Sequence, residues 1–193
     1  MANDETSSAA ILARSRAWVQ TWVVGLNLCP FARGPFESGR IRWQLSAADH
    51  VDALLDDLRA ELTLLAAADP AGHETTLLIH PWVLGEFDEF NQFLDPVERT
   101  VAAMGLEGVI QVASFHPHYR FADAPANDPA NASNRSPYPM LHLLREASIS
   151  AIIDGGVDTD AIVQRNLQTL RSMTPAQMAD QQARLDSLAR RSD

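Results

Sequence analysis

Three short apolar runs separated by segments of helical periodicity constrain this chain most. Ile41, Trp43 and Leu45 alternate with Arg42 and Gln44, a strand of period two, while residues 75–79 and 109–115 are continuous apolar runs rich in strand formers. Between the first two runs, Val51, Leu54, Leu55, Leu58, Leu62 and Leu65 recur at helical spacing. Ser46 with Asp49 three residues later predicts a capping box for that helix, which extends to about Ala67. Between the second and third runs, Glu86 to Leu94 predicts a short helix, and Asp95-Pro96 caps a second piece reaching Met104. Strands alternating with crossover helices predict an α/β fold: a small, mainly parallel sheet of about three strands, in β-α-β-α-β order, covered by helices.

The flanking segments complete a single domain over residues 9–190, behind a disordered tail at 1–8. Ile11, Leu12, Trp18, Val19, Trp22 and Val23 give a first helix from Ala9 to Val24, ended before Pro30. Residues 117–139 contain Pro117, Pro125, Pro129, Pro137 and Pro139 and show no period, which predicts a long loop of the kind that carries function. Pro139 then opens a predicted helix bearing Met140, Leu141, Leu143 and Leu144, and further helices start near Asp158 and at Thr174-Pro175.

Charge narrows the function classes. The net charge is −10, and all 15 basic residues are arginine, so a Schiff-base or P-loop lysine is excluded and non-specific nucleic-acid binding is disfavoured. A single cysteine excludes an internal disulfide, and Met1–Glu5 show no secretory pattern. No apolar run reaches the roughly 18 residues of a membrane span. The expected location is the cytoplasm, with neither nucleic acid nor membrane as partner; the oligomeric state stays open.

Two histidines mark the expected site. His80 and His116 each follow directly on a predicted strand and each precede proline, so parallel strands would deliver both to one carboxyl edge, where open α/β sheets bind ligands. The plainer alternative is that each imidazole merely caps backbone groups at a strand end. Beyond His116, the loop supplies His118, Arg120, Asn134, Arg135 and Ser136 just before the next predicted helix. Arginines 33, 40, 42, 120, 135 and 145 cluster by sequence around this loop and around Cys29, whereas residues 49–69 and 86–98 are acidic. That distribution predicts an enzyme acting on a carboxylate or phosphate metabolite. In it, His116 and His80 act as acid/base groups, Arg135 with Asn134, Ser136 and Arg120 holds the anion, and Cys29 is a possible nucleophile. His116 and Arg135 are expected within about 10 Å of each other around one pocket, one to two strand spacings, with His80 on its rim. Cys29-Pro30-Phe31-Ala32 lacks the second cysteine of a dithiol turn, and the alternative for Cys29 is a buried apolar role.

Four stretches resemble signatures of an uncharacterised, mostly bacterial family catalogued as a domain of unknown function. They are residues 23–32 around Gly25-Leu26-Asn27-Leu28-Cys29-Pro30-Phe31, residues 75–81, residues 110–117, and residues 134–146 (Asn-Arg-Ser-Pro-Tyr-Pro-Met-Leu-His-Leu-Leu-Arg-Glu). The resemblance covers about residues 15–155 and implies one domain, with no activity, cofactor or catalytic residue attached. Two other classes stay open. In one, the chain binds a metal or haem through His80, His116 and His118, completed by Asp123, His142 or Cys29. In the other, it is a non-catalytic interaction module whose acidic helices meet a partner.

Overall fold

The computed structural model describes residues 6–156 and 158–191. Helix α1 (Ser8–Trp18) opens on the Ser7 cap, whose hydroxyl accepts the Ala10 N–H at 3.2 Å. It runs straight into a π-helical segment, Val19–Val24. A short α2 (Arg33–Glu37) leads to β1 (Ile41–Leu45), α3 (Val51–Ala67), β2 (Thr75–Ile79), α4 (Phe87–Ala103) and β3 (Ile110–Phe115). The long connection that follows holds a 3-10 turn, Pro129–Ser133, and is succeeded by β4 (Met140–Arg145), α5 (Glu146–Asp154), α6 (Thr159–Ser172) and α7 (Pro175–Ala189). Of the expected tail, residues 1–5 lie outside the described residues, and Ser8 is already helical.

The sheet has four strands in the order β1-β2-β4-β3. Only β1 and β2 pair in parallel; β4 runs antiparallel to both β2 and β3. The sheet is therefore mixed, and the expectation of a mainly parallel three-stranded one is corrected by one element. Met140–Arg145 is a strand where a helix was expected. Met140, Leu141 and Leu143 are completely buried, because a central strand is covered on both faces. Such a strand shows a continuous apolar run without period two, and a run of that length reads equally well as a buried helical turn.

Each face of the sheet carries a helical layer. Leu78, Leu141, Leu143 and Ile110 face α3 and α4, whose own stripes are Leu54, Leu58, Leu62 and Leu65, and Phe90, Phe93, Val97 and Val101. Helix α4 is continuous where two pieces were expected. Pro96 sits inside it, and the burial of Phe93 and Val97 on one stripe outweighs a helix-interior cost of about 3 kcal/mol. Helix α3 begins at Val51 with His50 as cap, its Nδ1 accepting the Ala53 N–H; Ser46 instead donates to Asp57 at 2.6 Å. On the other face, Leu77, Ile79 and Met140 pack against Ile11, Trp18, Trp22 and Val23, with Leu170 of α6 and Leu185 of α7 completing the layer.

Candidate functional site

Because β4 lies between them, β2 and β3 end two strand spacings apart, about 9.6 Å, at the same edge of the sheet. His80 and His116 are both fully buried there. His80 approaches the Val83 carbonyl through Nδ1 at 3.2 Å, and His116 approaches the Leu84 carbonyl through Nε2 at 3.2 Å. A carbonyl only accepts, so each of these nitrogens carries the proton. His116 Nδ1 accepts the His118 N–H at 3.0 Å, leaving that ring with no unused atom. The Phe90 ring packs against both imidazoles, with centroids 5.7 Å from His80 and 5.1 Å from His116. Burial lowers the proton affinity of both, holding His80 at about 4. The pair pins the segment after β2, in which Leu84 adopts a left-handed φ of 59°.

The expected anion-binding residues surround that edge. The His116 N–H donates to the Asn134 carbonyl at 3.1 Å, so the loop does return to the strand end. Arg135, however, donates through Nε to the Tyr119 carbonyl at 3.0 Å and through a terminal nitrogen to the Ala126 carbonyl at 2.7 Å. Asn134 donates to the Ser114 carbonyl, and Ser136 to the Tyr138 carbonyl. Arg120 pairs with Asp88 at 3.0 Å. A cleft of about 360 Å³ is lined by His118, Arg120 and Arg135, but Glu86 and Asp88 line it too, and His116 does not. The other arginines of the sequence cluster are also engaged, although Arg145 Nε is buried without a partner among the described residues. Arg42 grips the buried Glu61 at 2.7 and 2.9 Å, Arg145 donates to the Leu65 and Ala68 carbonyls at the end of α3, and Arg33 and Arg40 pair with Glu37 and Glu74. Among the described residues, no three His, Cys, Asp or Glu side chains converge as a metal centre requires.

A second cavity, larger than that cleft, lies on the face of the sheet that α1 covers and measures about 440 Å³. Its floor is Leu77, Phe115 and His142, its roof Trp18, Val19 and Val23, and one wall the turn of Cys29 and Phe31. Val19 and Val23 come from the π-helical segment. π turns are wider than α turns and occur frequently at functional sites. Here the segment bonds Gly25 N–H to Gln20 and Leu28 N–H to Val23, both five residues back. Thr21 O is left out of that pattern, since the Leu26 N–H bonds Trp22, and Gln181 of α7 donates its amide to the freed carbonyl.

Most of the cavity wall is apolar, and besides Cys29 and His142 the polar side chains of Arg40, Glu74, Thr75, Arg145 and Ser148 line it. Cys29 is a free thiol whose proton affinity burial raises, opposed in part by the N–H groups of Phe31 and Ala32 directed at its sulfur. His142, in register with Leu77 and Ala113, is held at about 4 by burial and is neutral at pH 7. Trp18, only 2% exposed, has an indole N–H with no acceptor among the described residues. An Arg40–Glu74 pair at 3.6 Å stands at one end. Sequence reasoning reached Cys29 but gave His142 only as a completing metal ligand and did not single out Trp18. The signal for His142 is that it shares a strand face with Met140 and Leu144, two residues either side, which is readable only once this stretch is known to be a strand.

A family model for a protein of unknown function, DUF1415, matches residues 10–180. The chain belongs to that family. No curated protein and no solved structure matches it. Membership covers the cavity, the edge histidines and the loop alike, so the site must be chosen on physical grounds. Within the described residues no helix is long and apolar enough to cross a membrane.

Proposed function

We propose that this protein binds a small, largely apolar molecule in the cavity between the π-helical segment and the sheet, with Cys29 and His142 as the groups that meet its reactive or polar end. The observation that carries this is the cavity itself. About 440 Å³ lies within the usual range of small-molecule sites, and its walls are aromatic and aliphatic with a few convergent polar groups. A neutral thiol and a neutral imidazole suit a ligand with little charge, since neither carries a charge to balance an ion and the Arg40 and Glu74 at the cavity's end are paired with each other. A free thiol on the cavity wall is also at home in a reducing compartment, and we infer a cytoplasmic protein on that ground.

An enzyme acting on an anionic metabolite at the carboxyl edge has less support. The guanidiniums that would hold the anion already bond carbonyls and carboxylates, and the edge imidazoles are sealed in the core. A thermal-shift panel separates the two. Neutral aromatic and aliphatic fragments should raise Tm, while phosphate, citrate and sugar phosphates should leave it unchanged beyond their effect as salts. Stabilisation by a specific anion with none by any neutral fragment would overturn the assignment.

A further inference from the structure

We infer that the ligand of this cavity carries a hydrogen-bond donor, such as a hydroxyl, that His142 accepts through Nδ1. This rests on the cavity being the ligand site and adds the chemistry of what it takes. The argument runs through Thr75. Its hydroxyl donates to the Leu143 carbonyl at 2.5 Å, and a hydroxyl has one proton to give. His142 Nε2 lies 2.8 Å from the same oxygen, so that nitrogen must be the donor and carry the ring proton. The tautomer is thereby fixed, and Nδ1 is left as a lone pair.

That lone pair is unused. No hydrogen bond joins Nδ1 to Cys29 or to any other described residue, and His142 has no interactions beyond those already given except its tilted contact with Phe115 at 6.0 Å. Unlike His80 Nε2, which has no partner and is sealed from solvent, Nδ1 is not closed off in the core, because the ring lines the cavity. The two histidines differ in use accordingly. His80 is locked by Val83 beneath the 81–85 segment, whereas His142 is oriented from behind by a hydroxyl–carbonyl relay and presents an acceptor to an apolar space. An acceptor in such a space discriminates strongly between a ligand that offers a donor and one that leaves it bare.

Two isosteric probes test this on the full chain: 2-naphthol and 2-methylnaphthalene, with affinities measured by calorimetry at pH 7. One unmatched hydrogen bond predicts 2-naphthol binding about fivefold to tenfold more tightly. In His142→Leu the preference should vanish while 2-methylnaphthalene still binds. A readout on the wild-type protein removes dependence on that variant's folding. The 15N resonance of His142 Nδ1 should report an unprotonated nitrogen in the free protein and move on adding 2-naphthol but not 2-methylnaphthalene. Equal affinities, a protonated Nδ1, or a preference that survives in His142→Leu would overturn the inference and leave the cavity assignment standing. Failure of both probes to bind would overturn both.

Discussion

Asn131 is completely buried and uses its whole side chain. Its amide nitrogen donates to the Pro125 carbonyl at 3.0 Å and the Ala126 carbonyl at 3.4 Å, and its oxygen accepts the Phe121 N–H at 3.0 Å. A loop of over 20 residues has no ladder of its own, so this one amide does for it what a strand partner does elsewhere. Asn131→Asp keeps the shape but turns a donor toward two carbonyls into an acceptor. The expected loss is about 2–4 kcal/mol, since buried groups lose their partners. Urea unfolding measures it, and a loss under about 0.5 kcal/mol would show that the loop is held by other means. The arginines around the loop carry a related lesson. Their clustering in sequence resembled an anion site because sequence does not display partners across space: Arg120 meets Asp88, and Arg145 meets the end of α3.

Among the elements, the π-helical segment matters most to the site. A Cβ on Gly25 would lie 2.2 Å from the Thr21 carbonyl oxygen, closer than atoms approach without movement. Gly25→Ala should therefore displace the wider turn and cost about 1–3 kcal/mol, the range for overpacking. Gln181→Leu would leave the half-buried Thr21 carbonyl without its donor, for a loss of the same sign. Because both changes act on the same carbonyl, the double variant should lose less than the sum of the two. Strict additivity in denaturant unfolding would contradict the coupling. Helix α3 was legible because Leu54, Leu58, Leu62 and Leu65 repeat along one face, whereas α1 buries residues on several sides and was legible from its apolar content. β4 was not, because a strand buried on both faces has no alternation, and Pro139 before it fits a helix start equally well. That single miss also hid the mixed sheet and the place of His142.

For the whole molecule, neutral histidines that are buried or half-buried set the response to acid. His80 is held near 4, against 6.5 for an unburied imidazole, and His142 near 4 as well, while His116 and His73 are lowered in the same sense. Unfolded chains take up these protons first. The stability they contribute is therefore full above pH 6.5, is lost as pH falls through the window from 6.5 to 4, and levels off below it. His80 alone gives a steepest slope of about 1.4 kcal/mol per pH unit. Urea midpoints at pH 7.5, 6, 5 and 4.5 should fall along this curve, and a flat profile would contradict the burial of these rings. The carboxyl edge, to which the His-Pro pairs pointed, is thus where the fold is pinned. The space for a ligand lies instead on the helix-covered face, which no local pattern marks.

The most direct measurement is the rate at which iodoacetamide alkylates Cys29, the chain's one cysteine, with and without 2-methylnaphthalene. The thiol lines the cavity, so an occupant must shield it. Alkylation of the wild-type protein should slow in proportion to occupancy and approach a plateau at saturation. A rate unchanged while the probe is bound would mean that the ligand sits elsewhere and that this cavity is not the site.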